Sequence, residues 1–228
     1  MTSRLHSYVL DQLGGDIVAG RMPTDTTVRV SDLTAKYSVS LAVAREAVRV
    51  LQALGLVSLT KRIGVRVLPA SEWNTLEPLV IRWRLESPDR EAFLHALAEL
   101  RRVVEPEAAR LAAERATTEA RQQIMEAAEA MRAHSADPAA RAQYFDADVS
   151  FHASLLSAGG NPVFRALEPA MLEALRGRAG LGVAGDPVDT GEVDRHLAIA
   201  TAIRDQDPSA AERAGRELLS GIIQRLVP

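Results

Sequence analysis

The chain has 228 residues, 47 % apolar and 25 % charged, which allows one large folded domain or two small ones. It has no cysteine, which excludes disulfides, Cys-ligated zinc and thiol nucleophiles, so any metal must be held by His, Asp or Glu. The net charge of −3 hides an asymmetry: residues 1–70 carry nine Lys/Arg against five Asp/Glu, whereas residues 71–228 carry eighteen against twenty-five.

A small basic part joined to a larger acidic part suggests a module for a polyanion followed by a different module. No apolar run reaches the roughly 18 residues needed to cross a bilayer. The opening stretch MTSRLHSYVLDQL lacks the apolar core of a signal peptide. Both features lead us to expect a cytoplasmic protein.

In chain order, Leu5, Tyr8, Val9, Leu13 and Ile17 follow helical spacing over 3–19, and Gly20 stops the pattern. The stretch RMPTDTTVRV reads as a turn and then a short extended segment. Ser31 is placed to cap a short helix, DLTAKY, and Ser40 to cap the next, LAVAREAVRVLQAL, which Gly55 ends. That second helix turns Val43, Ala47, Val50, Leu51 and Leu54 toward a core and leaves Ser40, Ala44, Arg45 and Arg49 at varying exposure. Two β-rich runs, Leu56–Leu59 and Val65–Leu68, flank a Lys-Arg-Ile-Gly turn, which makes a hairpin with a basic tip.

After Trp73 the pattern is helical throughout, over roughly 73–85, 88–115, 118–134, 138–157, 162–178, 190–205 and 208–226. Ser87-Pro88, Asp137-Pro138, Asn161-Pro162 and Asp207-Pro208 each set a capping residue before a proline at the first helical position. Pro106 lies inside a long pattern and is expected to kink it. Residues 179–189, AGLGVAGDPVD, read as a Gly-rich loop. The expected organisation is mainly α, with a winged helix-turn-helix over 1–70 and an all-α bundle of six or seven helices over 71–228.

Helix, short helix, turn, helix and basic hairpin, in that order, is the winged helix-turn-helix layout. An arginine on the second helix of such a unit suits guanine O6 and N7 or a phosphate, and Lys61 and Arg62 at the hairpin tip suit the backbone or minor groove. The segment DLTAKYSVSLAVAREAVRVLQALGLVSLTKRIGVRV resembles the DNA-binding domain of the GntR family of bacterial transcription regulators. The resemblance implies that Arg45 and the start of the recognition helix, from Ser40 with Arg49 following, contact an operator. It also implies that the wing around Lys61, Arg62 and Gly64 reaches the minor groove. The chain departs from the pattern at Leu41, where the family often has arginine, and at the wing tip, reduced to Ile63-Gly64.

In YFDADVSFHASLL, Asp148 and His152 stand at i, i+4 and share one helix face. That spacing lets both reach one metal, although such a pair is also a common helix-surface contact. His196 is a third candidate on another helix. His134 looks like a favourable charge at a helix end, while His6 and His95 lack acidic neighbours at metal spacing.

The stretches ELRRVVEPEAARLAAERAT, DADVSFHASLLSAGGNPVF and RHLAIATAIRDQDPSAA resemble the FCD effector domain of the FadR subfamily. The resemblance implies a helical bundle around an effector cavity, often with a divalent metal such as zinc, nickel or manganese. Asp148, His152 and His196 match its ligands, and the fourth position is Leu218. It also implies that Arg101 faces the cavity and grips a carboxylate, with Arg102 turned away, whereas Asn161 caps a helix.

Either a three-ligand metal leaves positions open for water or an effector carboxylate, or the metal is lost and Asp148 and the histidines hydrogen-bond the effector or each other. The run WNTLEPLVIRW, with the missing last-helix His, is similar to the galactonate-responsive repressors of the subfamily and implies a sugar acid such as an aldonate. Trp73 and Trp83 also suit plain packing. The chain therefore reads as a regulator, a homodimer on operator DNA, and not an enzyme. A hydrolase or lyase would need a base beside the metal, for which Glu105 and Glu168 are only arbitrary candidates.

Overall fold

Val9, Leu13 and Ile17 recur about once per turn, and in the computed structural model they form the buried stripe of α1 (Thr2–Val18). The structure describes residues 2–60, 64–179 and 190–226. They fall into two compact units, residues 1–90 and 91–228.

In the first unit α1 is followed by β1 (Thr27–Val28), α2 (Val30–Tyr37), α3 (Leu41–Ala53), β2 (Val57–Thr60), β3 (Gly64–Val67) and α4 (Pro78–Leu85). The sheet is antiparallel in the order β1-β3-β2, with Thr27 opposite Arg66 and Val57 opposite Val67. Val65 and Val67 alternate inward with period two and close the core over Leu33, Ala47 and Leu51. Glycine is needed at 64, where φ is +120° and a Cβ would lie 2.5 Å from the Val28 carbonyl oxygen. Gly14 lets the Trp83 ring lie against α1, because a Cβ there would sit 2.5 Å from the indole. Trp83 Nε1 donates to Asp11 Oδ1 at 3.2 Å, and Trp73 Nε1 donates to the Leu68 carbonyl at 3.0 Å.

Several boundaries differ from the sequence reading. Helix α2 starts at Val30, with Arg29 rather than Ser31 at its cap, because the Asp32 carboxylate accepts the Arg29 backbone N–H at 3.2 Å. Residues 73–77 are not helical: Pro78 takes the first helical position, and the Asn74 N–H is drawn to the Leu54 carbonyl at 2.9 Å. The Gly-rich loop lies outside the described residues except for Ala179, the last residue of α8.

The second unit contains six helices among the described residues. They are α5 (Arg90–Arg115, whose first residue closes the first unit), α6 (Thr118–His134), α7 (Arg141–Ala158), α8 (Pro162–Ala179), α9 (Thr190–Arg204) and α10 (Pro208–Leu226). Alanines 108, 109, 112 and 113 of α5 and 127 and 128 of α6 line the core and keep helix axes close. Phe151, Leu155, Met171, Ile199 and Leu219 fill the space between them. Helix α5 continues through Pro106, whose ring side packs on α10 where Gly215 leaves room. Among the described residues no helix is long and apolar enough to cross a membrane.

Candidate functional site

Helix α3 is capped by Ser40, whose Oγ accepts the Val43 N–H at 3.3 Å. Its inner face is Val43, Ala44, Ala47, Val48 and Leu51, and its outer face Leu41, Ala42, Arg45, Glu46 and Arg49. Ala44, whose exposure the sequence pattern left open, is buried, and Val48 takes the central core place expected of the half-buried Val50. The rotation of about 100° per residue centres the buried stripe between these positions.

Arg45 and Arg49 project to solvent one turn apart, and Arg49 Nη1 meets Glu46 Oε2 at 3.1 Å in an exposed, weak pair. Behind α3, Asp16 of α1 receives Arg21 Nε at 2.7 Å and Lys36 Nζ at 2.8 Å, and the Tyr37 hydroxyl at 3.3 Å. Burial opposes charge on Asp16, but Lys36 and Arg21 outweigh it and hold the carboxyl below its usual 3.8. This cluster ties α2 to α1. Gly64 begins β3 at the base of the wing. Lys61 and Arg62 lie outside the described residues.

In the second unit, buried polar side chains meet at one place. Helix α5 supplies Arg101 and Glu105, α7 supplies Asp148 and His152, and α9 supplies His196; all five are at most 3 % exposed. His196 Nδ1 stands 2.8 Å from the Glu192 carbonyl oxygen, which accepts only, so the ring proton is on Nδ1 and Nε2 carries the lone pair. His152 Nδ1 stands 3.1 Å from Glu105 Oε2 in an ion-pair contact outside hydrogen-bond geometry, and Arg101 Nη2, which only donates, stands 3.3 Å from His152 Nε2 and favours a lone pair there. Both Nε2 atoms turn toward Asp148 Oδ1. The three atoms form a triangle with sides of 3.2 Å (His152 to His196), 3.3 Å (His196 to Asp148) and 3.4 Å (His152 to Asp148). Ligand atoms at tetrahedral angles about one cation, with bonds near 2.0–2.1 Å, stand about 3.3 Å apart. The donor set and spacing fit a divalent metal.

The charges support the same fit. Arg101 Nε and Nη2 donate to Glu105 Oε1 and Oε2 at 2.6 and 3.2 Å, an internally neutral pair. Burial raises the Glu105 pKa, but the charges of Arg101 and His152 outweigh it and hold it at about 2. Arg101 and Glu105 offset each other, so an ionised Asp148 facing the two Nε2 atoms is the charge that a cation would offset in this buried site. Without a metal, a proton serves instead: burial opposes charge on His152, Glu105 outweighs it, and the pKa rises above 6.5.

Arg101 Nη2 is also 3.3 Å from His152 Nε2, so the guanidinium borders the same triangle. Phe151 packs edge-on to both rings, at 5.3 Å from His152 and 4.9 Å from His196. Leu218 is buried on α10 and offers no ligand atom.

Asp148, His152, His196 and Arg101 are thus brought together, whereas Asn161 caps α8 by accepting the Val163 N–H at 2.9 Å and Glu168 accepts from Ser157 at 3.1 Å. Arg102 is exposed. Sequence reasoning missed the role of Glu105. The available signal was its place four residues after Arg101, one helical turn along the same face.

The sequence pattern of the FCD domain matches residues 96–221, and that of the gntR family of bacterial regulatory proteins matches residues 5–67. The chain is 32 % identical to the galactonate operon transcriptional repressor of Escherichia coli K12, over 99 % of this chain and 98 % of that one. It is 30 % identical to the transcriptional repressor NanR of Cronobacter sakazakii, over 84 % of this chain and 73 % of that one. Among solved structures it is similar in fold to a GntR protein of Streptococcus agalactiae, with a TM-score of 0.54 and 21 % identity over 96 % and 99 % of the two chains.

Proposed function

Since the chain belongs to the gntR family of bacterial regulatory proteins and carries an FCD domain, and is a transcriptional regulator rather than an enzyme, we propose that it represses transcription under the control of a small organic acid. The acid is a sugar acid such as an aldonate, a reading supported by the name of the Escherichia coli relative. In this reading residues 1–70 bind operator DNA through Ser40, Arg45, Arg49, Lys61, Arg62 and Gly64. Residues 71–228 receive the effector and hold two copies together in the cytoplasm. A two-fold dimer sets two α3 helices in successive major grooves, roughly 34 Å apart.

The observation that carries the effector half is the triangle of lone-pair atoms on Asp148, His152 and His196. Asp148, His152 and His196 would hold zinc, nickel or manganese there, and the ion would supply a Lewis-acidic anchor for a carboxylate. The Arg101 guanidinium beside His152 Nε2 and the Glu192 carbonyl beside His196 Nδ1 favour the tautomers that such a cation needs. Arg101 borders the triangle and meets any anion that reaches it. With a divalent cation the five side chains and the metal sum to one positive charge, which a single carboxylate neutralises. An acid that binds one arrangement of the protein more tightly than another changes operator affinity by that difference.

A melting-shift screen with aldonates, uronates and lactate, with and without chelator, tests this reading. A ligand at a hundredfold excess over its Kd adds about 2.7 kcal/mol to stability. A chelator-sensitive shift with a sugar acid supports the reading, and no shift with any small carboxylate overturns it.

A further inference from the structure

We propose that Leu41 is a specificity-determining residue that reads the 5-methyl group of a thymine in each operator half-site. The inference rests on the reading of α3 as the helix that meets DNA. Leu41 is the first residue of α3 and 46 % exposed, with exposed Ala42 beside it. Leu41, Arg45 and Arg49 follow at four-residue steps, so they form one stripe along the outer face, apolar at its start and cationic beyond.

The first turn of a recognition helix is the part that approaches base edges most closely. Leu41 has no donor or acceptor. Set over a guanine, adenine or cytosine edge it would strip water from polar atoms and return no hydrogen bond. Set over a thymine methyl it buries apolar surface against apolar surface. The neighbouring Ser40 Oγ accepts the Val43 N–H as the helix cap, which leaves its O–H to donate to a phosphate beside Leu41. The chemistry that fits this end of the stripe is a thymine methyl, with the arginines left for guanine edges or phosphates further along.

The test uses the full chain. Duplexes selected from a random library by the wild-type protein reveal the operator, and each thymine in it is then replaced singly by deoxyuridine, which lacks only the methyl. One thymine per half-site should lose affinity about fourfold, the factor for one buried methyl. Leu41→Ala should bind with that sensitivity gone, and Leu41→Arg should select guanine at the same position. Melting curves check that both variants fold, as expected for an exposed position. An operator whose thymines respond equally in wild type and Leu41→Ala overturns the inference and leaves the repressor reading intact. Enrichment of no sequence by the wild type overturns both.

Discussion

His152 and His196 face each other through their Nε2 atoms at 3.2 Å in a fully buried site. Two lone pairs cannot remain so close without something positive between or beside them. A metal, a ring proton and the Arg101 guanidinium are the groups suited to that place. The groups behind the two imidazoles decide how well a metal competes there.

Behind His152 lies the Glu105 carboxylate, with Oε2 3.1 Å from Nδ1. In Glu105→Gln the side chain keeps its shape and loses its charge. Metal affinity should fall about 10- to 100-fold, the usual effect of removing the carboxylate behind a ligating histidine. Competition with a metallochromic chelator measures it, and unchanged affinity would show that Glu105 serves only the ion pair with Arg101.

Removing the other member of that pair has a different signature. Arg101→Ala leaves the Glu105 carboxylate buried without its bidentate partner, which costs about 3–5 kcal/mol of stability. Denaturant unfolding of the metal-free chain should show this loss. If the folded variant binds operator normally yet no longer responds to a sugar acid, Arg101 also holds the effector; a full response would place the carboxylate elsewhere.

On the DNA side, Arg45→Ala shortens an exposed side chain on the outer face of α3. Operator affinity should fall by about 1–3 kcal/mol if the side chain contacts a base. Gel shifts with the selected operator give the value, and identical binding would remove Arg45 from the interface.

Asp16 governs an acid transition in the first unit. Its folded pKa lies below the usual 3.8, so its ion pairs contribute stability above that pH. The contribution disappears as pH falls through the lower folded value. Asp16→Asn should therefore cost about 1–2 kcal/mol near pH 7. The difference from wild type should shrink in urea titrations run progressively below pH 4; a constant difference would mean that packing, not charge, makes the contribution.

Much of this architecture was legible from local chemistry. The cap at Ser40, the glycine stop after α3, the hairpin and the Asn161 cap all follow from residues acting on their own backbone. Asp148 and His152 were legible because helical spacing alone aligns them. The surroundings of the two histidines were not, because Arg101 and Glu105 reach His152 from another helix, and only the folded rotamer sets His196 Nδ1 against the Glu192 carbonyl of its own helix. The non-helical 73–77 segment was missed because a long-range bond from Asn74 to Leu54 overrides a helix-compatible pattern. The place of Ala44 stayed open for a simpler reason: alanine marks neither face of a helix clearly.

The most direct test of the account is operator affinity, by fluorescence anisotropy, as galactonate and other aldonates are titrated into the metal-loaded chain. The account predicts that affinity falls at least about fivefold, the lower end of ordinary allosteric coupling. It also predicts that the response is lost when the metal is stripped or when His152 and His196 are both replaced by alanine. Operator affinity that does not change with any sugar acid, or that changes equally with and without metal, would contradict it.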